Sequence, residues 1–201
     1  MNFTERAYAI FIRSIADYHI LDSIDSEPKN PYADRSIEFY LYLKNWIDTV
    51  QWHLEDIIRD PHINSERALE IKRRIDRFNQ ERTDLVEMID GFFYNWYKDT
   101  ETLKDATFST ESPAWAIDRL SILALKIFHM RKETERNDID ANQRLLVEDK
   151  LEVLLTQKDD LSLAIEQLLA DIESGKKYMK VYKQMKMYND PSLNPILYAR
   201  Q

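Results

Sequence analysis

The chain contains no cysteine. That one absence excludes structural disulfides, thiolate metal sites and a cysteine nucleophile, and any redox chemistry would need a cofactor. Glycine and proline are scarce, two and six in 201 residues, which is too little punctuation for the many turns of an all-β fold. No apolar run approaches ~20 residues, so no membrane span is expected. The opening stretch, Met1 to Ile10, carries Glu5 and Arg6 where a secretory leader would have a basic start and an unbroken apolar segment. A cytoplasmic location is the expectation. A net basic surface is missing too: the formal charge of −8 argues against nucleic-acid binding by the whole surface, because such binders neutralise phosphates.

What the chain does have is apolar residues at helical spacing. A hydrophobic fraction of 44% in 201 residues suits one domain, 1–201, with a sizeable core. Asn2 with Glu5 forms a capping-box pattern ahead of a first helix that presents Phe11, Ile15 and Tyr18 and ends near Ser23. Pro28, Asn30 and Pro31 mark a loop, Asp25 to Arg35, and Ser36 is a suitable N-cap for a second helix running to about Arg59. There Leu43, Trp46, Ile47, Val50, Leu54, Ile57 and Ile58 follow three-and-four spacing as one buried stripe. Asp60 and Pro61 stop it, and Ser65 opens a third helix whose seam runs Ala68, Ile71, Ile75, Phe78, Arg82, Leu85, Ile89, Phe92, Trp96.

Thr110 caps a fourth helix to about Arg136, with Pro113 tolerated in its first turn. Its apolar residues lie all around it, the mark of a central helix. Asp140 with Gln143 repeats the capping box, and a fifth helix carries the series Val147, Leu151, Leu154, Lys158, Leu161, Ile165, Leu168, Ile172 up to Gly175, a C′ glycine. The fold class is therefore all-α: an up-and-down bundle of about five long helices with a basic C-terminal helix or tail, 176–201, folding back on it.

Two seams are interrupted by cations, Arg82 and Lys158, each at mid-helix. In an antiparallel pairing of the third and fifth helices they meet at one depth, and buried like charges require acids or an anionic ligand. The fourth helix offers Asp118 and His129 on one side, with Arg119 and Lys126 beside them. These residues are read either as a structural salt-bridge layer that fixes register or as a pocket for a small anionic ligand or partner, with Glu111 at the helix N-terminus orienting it. Trp52 lies opposite the apolar stripe of the second helix, among Asn45, Asp48, Glu55 and Arg59. That position suggests a second contact surface.

His19, His53, His62 and His129 invite a metal hypothesis, because bundles place such ligands on facing helices. No two share a helix at i, i+4 spacing, and no metal site is favoured. Glu55 and Asp56 on the second helix, with Glu87 and Asp90 on the third, resemble paired carboxylates that hold Mg²⁺ for phosphoanhydride hydrolysis. Solvated helix faces look the same. The chain is not expected to be an enzyme or to need a cofactor on these grounds, and the Mg²⁺-dependent hydrolase of nucleotides or nucleotide sugars stands as the alternative. Between Gly175 and Tyr188 five lysines alternate with tyrosines and methionines and no acid intervenes. Lys177, Tyr178, Lys180 and Lys183 form either the solvated face of a last amphipathic helix or a surface for an anion or a protein partner. A homodimer or scaffold using Trp52 and this tail is the third alternative. The turn formers from Tyr188 to Pro195 fold the tail back, where it can cover a pocket mouth.

At Trp46 to Asp60 (WIDTVQWHLEDIIRD), Thr110 to Met130 (TESPAWAIDRLSILALKIFHM) and Lys183 to Tyr198 (KQMKMYNDPSLNPILY) the chain resembles domain of unknown function family 4254 over nearly its whole length. Where many members carry a glycine after the proline of the second segment, this chain has Ala114 and Trp115. The resemblance implies a Bacteroidetes-type source and a link to cell-envelope polysaccharide synthesis, since such genes often neighbour glycosyltransferases. It supplies no catalytic residue.

Overall fold

The computed structural model describes residues 1–188 and 190–199. Asn189, Arg200 and Gln201, which fall within the expected tail, lie outside the described residues. Five long helices carry the chain: α1 (Phe3–Leu21), α2 (Ile37–Ile58), α3 (Ser65–Tyr97), α4 (Pro113–Thr134) and α5 (Ala141–Glu173). A short α6 (Pro195–Tyr198) follows, and two-residue strands β1 (Thr107–Phe108) and β2 (Lys177–Tyr178) pair in parallel. No helix among the described residues is long and apolar enough to cross a membrane.

Both capping boxes form, Asn2 with Glu5 and Asp140 with Gln143. The third helix opens at Ser65 as the sequence predicts, and the fourth starts later than predicted. Asn64 caps α3, and Ser112 rather than Thr110 caps α4, which places Pro113 at the first helical position, where its missing N–H costs nothing.

The directions of the helices follow from which residues meet. Ser14 Oγ donates to the Tyr42 carbonyl at 3.1 Å and the Tyr18 ring stacks on His53 at 5.1 Å, so α1 and α2 run parallel. Gln51 pairs with Asn79 at 2.7 Å and Tyr40 meets Phe92 at 5.7 Å, so α3 runs against α2. α4 runs back along α2, and α5 returns along α4 and α1, with the Thr4 N–H donating to Glu166 Oε1 at 2.6 Å. The bundle of five long helices is observed, with one departure from strict alternation at the α1–α2 connection. There the segment 22–36 returns along the bundle before α2 begins. Arg74 holds its start, donating to the Ile24 carbonyl at 2.7 Å and to Asp25 at 2.8 Å, and Asn30 Nδ2 donates to the Phe39 carbonyl at 2.9 Å near its end.

The core lies among α1, α2, α3 and α4, with Phe11, Tyr18, Tyr42, Leu54, Ile71, Ile89, Phe93 and Leu120 fully buried. α5 docks on the outside of this core through Ile165, Leu169 and Ile172. Gly175 adopts φ 72, the left-handed cap that glycine accepts without a Cβ penalty.

Candidate functional site

α2 turns a polar face into the protein. Lys44, Asn45, Asp48 and Thr49 are all buried, whereas Leu43 and Ile47 of the expected stripe are half-buried along a groove beside residues 24–28. Asp118 and Ser121 of α4 face this polar surface. Lys44 Nζ is 2.7 Å from Asp118 Oδ1 and forms an ion pair with Asp48 one turn along its own helix. Arg82 reaches in from α3 and holds Asp118 with two bonds, Nε to Oδ1 at 2.8 Å and Nη2 to Oδ2 at 2.5 Å. Its Nε is also 3.5 Å from Asp48 Oδ1. Ser121 Oγ donates to Asp48 Oδ2 at 2.6 Å and accepts from Asn45 Nδ2 at 2.9 Å.

An unpaired buried ion would cost several kcal/mol. Here two cations meet two carboxylates, so the layer neutralises itself without a ligand. Burial alone would raise the Asp118 carboxyl, but Lys44 and the Arg82 hydrogen bonds outweigh it and hold Asp118 below the usual carboxylate range. For Asp48, burial together with the neighbouring Asp118 outweighs Lys44 and Arg82 and pushes its carboxyl up. Asp118 is thus the firmly ionised partner.

Arg82 also links this layer to solvent. Its side chain is 25% exposed, against 0–4% for Lys44, Asp48 and Asp118. It borders a cleft of about 330 Å³ between α2, α3 and α4, together with Gln51, Trp52, Glu55, Asp56 and Arg59. That volume lies within the range of small-molecule sites. The Trp52 ring stacks on His129, centroids 4.6 Å apart and planes 5° from parallel. Trp52 is therefore a wall of this cleft, not a free-standing contact surface.

Of the residues expected to converge, Arg82 and Asp118 meet and the others do not. Lys158 lies on the side of α5 that faces α1, 2.8 Å from Asp159 and 5.5 Å from the Tyr8 ring centre. The expected pairing of the third and fifth helices is replaced by α5 packing on α4 and α1, which removes Lys158 from the layer. Arg119 and Glu111 form an exposed pair at 3.2 Å, and Lys126 is exposed. His129 sits more than two turns farther along α4, beside His19 and His53. The layer's other two charges, Lys44 and Asp48, were missed by sequence reasoning. The available signal was their place with Asn45 and Trp52 on one face of α2, at spacings of three, four and seven.

The four carboxylates proposed for Mg²⁺ do not gather. Gln51 is level with Asn79, so at 1.5 Å per residue Glu87 and Asp90 lie roughly 18–22 Å along the bundle from Glu55. Asp90 instead occupies the start of α4, accepting from the Ala114 N–H at 3.1 Å and the Ser112 hydroxyl at 2.5 Å. A protein carboxylate thus fills the anion site of this helix N-terminus. Glu87 accepts from the Gln184 N–H at 2.8 Å, and Glu55 pairs with Arg59 at 3.1 Å.

Residues 179–187 of the tail run as extended chain, not as an amphipathic helix. Lys177 donates to Thr107 at 3.3 Å, Tyr178 packs on Phe108, and Lys180 sits over both rings at 5.8–5.9 Å. Tyr178 and Lys180 are among the residues lining a small cavity of about 150 Å³ at the α4 N-terminus. Lys183 is exposed, and Lys186 donates to the Asn79 carbonyl at 3.1 Å and to Thr83 Oγ1 at 2.6 Å. The Asn79 side chain is the partner of Gln51.

A model of the family described as Protein of unknown function (DUF4254) matches residues 38–181. No curated protein and no solved structure matches the chain.

Proposed function

Because the chain belongs to the DUF4254 family, whose function is unknown, we propose a role from the geometry alone: it binds a small anionic ligand in the Trp52 cleft, anchored by Arg82 and Arg59. The observation that carries this reading is the fixed and partly exposed guanidinium of Arg82. Two bonds from Asp118 hold it in place, and a donor that is already oriented loses little entropy when a ligand arrives. Arg59 lies on the rim, so guanidinium groups reach the cleft from α2 and α3. Trp52 supplies a flat apolar wall of the kind that packs against a ring.

A phosphate-bearing sugar or nucleotide sugar has both features, an anion for the arginines and a ring for the tryptophan. It would also fit an accessory role in cell-envelope polysaccharide synthesis. Thermal-shift titration with inorganic phosphate and nucleotide sugars tests the proposal, since ligand binding to the native state raises Tm by mass action. A dose-dependent rise is expected in the wild type, with loss of most of the rise in Arg59→Ala and Trp52→Ala, each measured against its own ligand-free Tm. No rise with any of these ligands, or an equal rise in both variants, would overturn the reading.

A further inference from the structure

His19 of α1, His53 of α2 and His129 of α4 come together where these three parallel helices approach their C-terminal ends. One ligand-competent atom from each lies within 4.8 Å of the other two, and this is the one such group of three among the described residues. In a tetrahedral zinc site, bonds of about 2.0–2.1 Å place the ligand nitrogens about 3.4 Å apart. A modest rotation of the side chains would therefore close the triangle on an ion.

Several details fit ligation better than packing. His19 Nδ1 is 2.7 Å from the Ile15 carbonyl. A carbonyl only accepts, so Nδ1 carries the proton and the Nε2 lone pair is left free, the arrangement that orients metal-binding histidines. His53 Nε2 and His129 Nε2 are buried and have no hydrogen-bond partner. An orphaned buried polar atom is costly, and two in one cluster share one remedy, a cation between them. Both rings are buttressed, His53 by Tyr18 at 10° from parallel and His129 by Trp52 at 5°. Burial, with His53 and His19 beside it, pushes His129 down to about 4, and burial with His19 nearby lowers His53 as well. Both rings thus keep their lone pairs at neutral pH.

We propose that His19, His53 and His129 form a site for one divalent transition-metal ion of the zinc class, with its remaining coordination position open to solvent. Three neutral imidazoles without a thiolate suit zinc, cobalt or nickel better than magnesium or calcium, which take oxygen ligands. The open position faces a cleft of about 480 Å³ whose lining includes Asp22, Phe128 and Lys132. A metal-bound water there would have Asp22 within the same cleft as a candidate hydrogen-bond acceptor. The site goes beyond the proposed anion binding, from which it is separated by the stacked Trp52 and His129 rings.

The test is a titration of chelator-treated full-length protein with Co²⁺, followed by displacement with Zn²⁺. One Co²⁺ per chain is expected, with the intense visible absorption of a low-coordinate nitrogen site, abolished by one equivalent of Zn²⁺. His53→Gln and His129→Gln should lose affinity by more than the roughly 10- to 100-fold that removal of an outer-shell partner costs. His62→Gln, at an exposed histidine outside the cluster, and Arg59→Ala, in the anion cleft, should bind as the wild type does. The proposal is overturned if the wild type shows only the weak spectrum of hydrated Co²⁺, or if both cluster variants bind within about twofold of it. Circular dichroism confirms folding of the variants, and where one fails to fold the wild-type spectrum alone decides.

Discussion

Asp118 accepts from two cations at once, so its neutralisation leaves both Lys44 and Arg82 short of a counter-charge in the interior. Asp118→Asn is expected to destabilise the fold by about 3–5 kcal/mol near neutral pH, the cost of breaking one side of a buried ion pair. The folded protein holds this carboxyl below its unfolded value of about 3.9. Its contribution to stability is therefore complete above that pH and is lost as pH falls through the folded value. Asp48 is shifted the other way. Its contribution is fully present in acid and is lost as pH rises through its raised folded value. Asp118→Asn also removes one of the groups that raises Asp48, so the comparison of this variant with the wild type reports the two carboxylates together. Urea unfolding across an acid pH series should show the gap between the two proteins narrowing towards low pH. A gap that stays constant would contradict the assignment of Asp118 as the ionised anchor.

At the scale of elements, α2 holds the main correction to the sequence reading. Its three-and-four spacing predicts one buried stripe through Leu43 and Ile47, yet those two are half-buried and Lys44, Asn45 and Asp48 are enclosed. Periodicity finds an apolar face but cannot report that the opposite face is covered as well. Arg82 was legible because it interrupts an otherwise apolar seam, and Asp118 because it lies on a helix that is apolar all round. Leu54→Ala, at a fully buried position, is expected to cost about 2–5 kcal/mol, and Leu43→Ala clearly less because the groove beside it admits water. Equal losses in chemical denaturation would restore the single-stripe picture.

The end of α5 was read correctly for a local reason. Gly175 combines φ 72 with a backbone so close to the Glu101 carbonyl that an added Cβ would collide with it. Gly175→Ala is therefore expected to lose more than the ~1 kcal/mol of an ordinary left-handed penalty. Thermal denaturation measures this, and a loss below that value would mean that the segment around Glu101 yields freely.

Over the whole molecule, the helices and most of their caps were legible in the sequence because both are encoded within a few residues. Their neighbours in space were not. Lys158 occupies the heptad position expected of it, but a heptad fixes only a side of a helix, and that side of α5 meets α1 and Tyr8. The histidines were visible as metal candidates, but which of them meet was not, for the same reason: the cluster draws one residue from each of three helices, and only the parallel course of α1, α2 and α4 assembles it. The run from Glu111 to Ser121 is spent largely on internal contacts, with Arg119, Asp90, Arg82, Lys44 and Asp48 as partners. What this layer leaves open to the cleft, and to the anion binding we propose, is the edge of Arg82.

The dependence of that edge on a single cooperative layer joining α2, α3 and α4 is open to direct measurement by a double-mutant cycle on Lys44→Met and Asp118→Leu, read by chemical denaturation. Each single substitution strands a buried charge, while the pair removes both, so a coupling energy of about 2–3 kcal/mol is expected. Free energies that add to within ~0.5 kcal/mol, as they do for independent sites, would contradict the account.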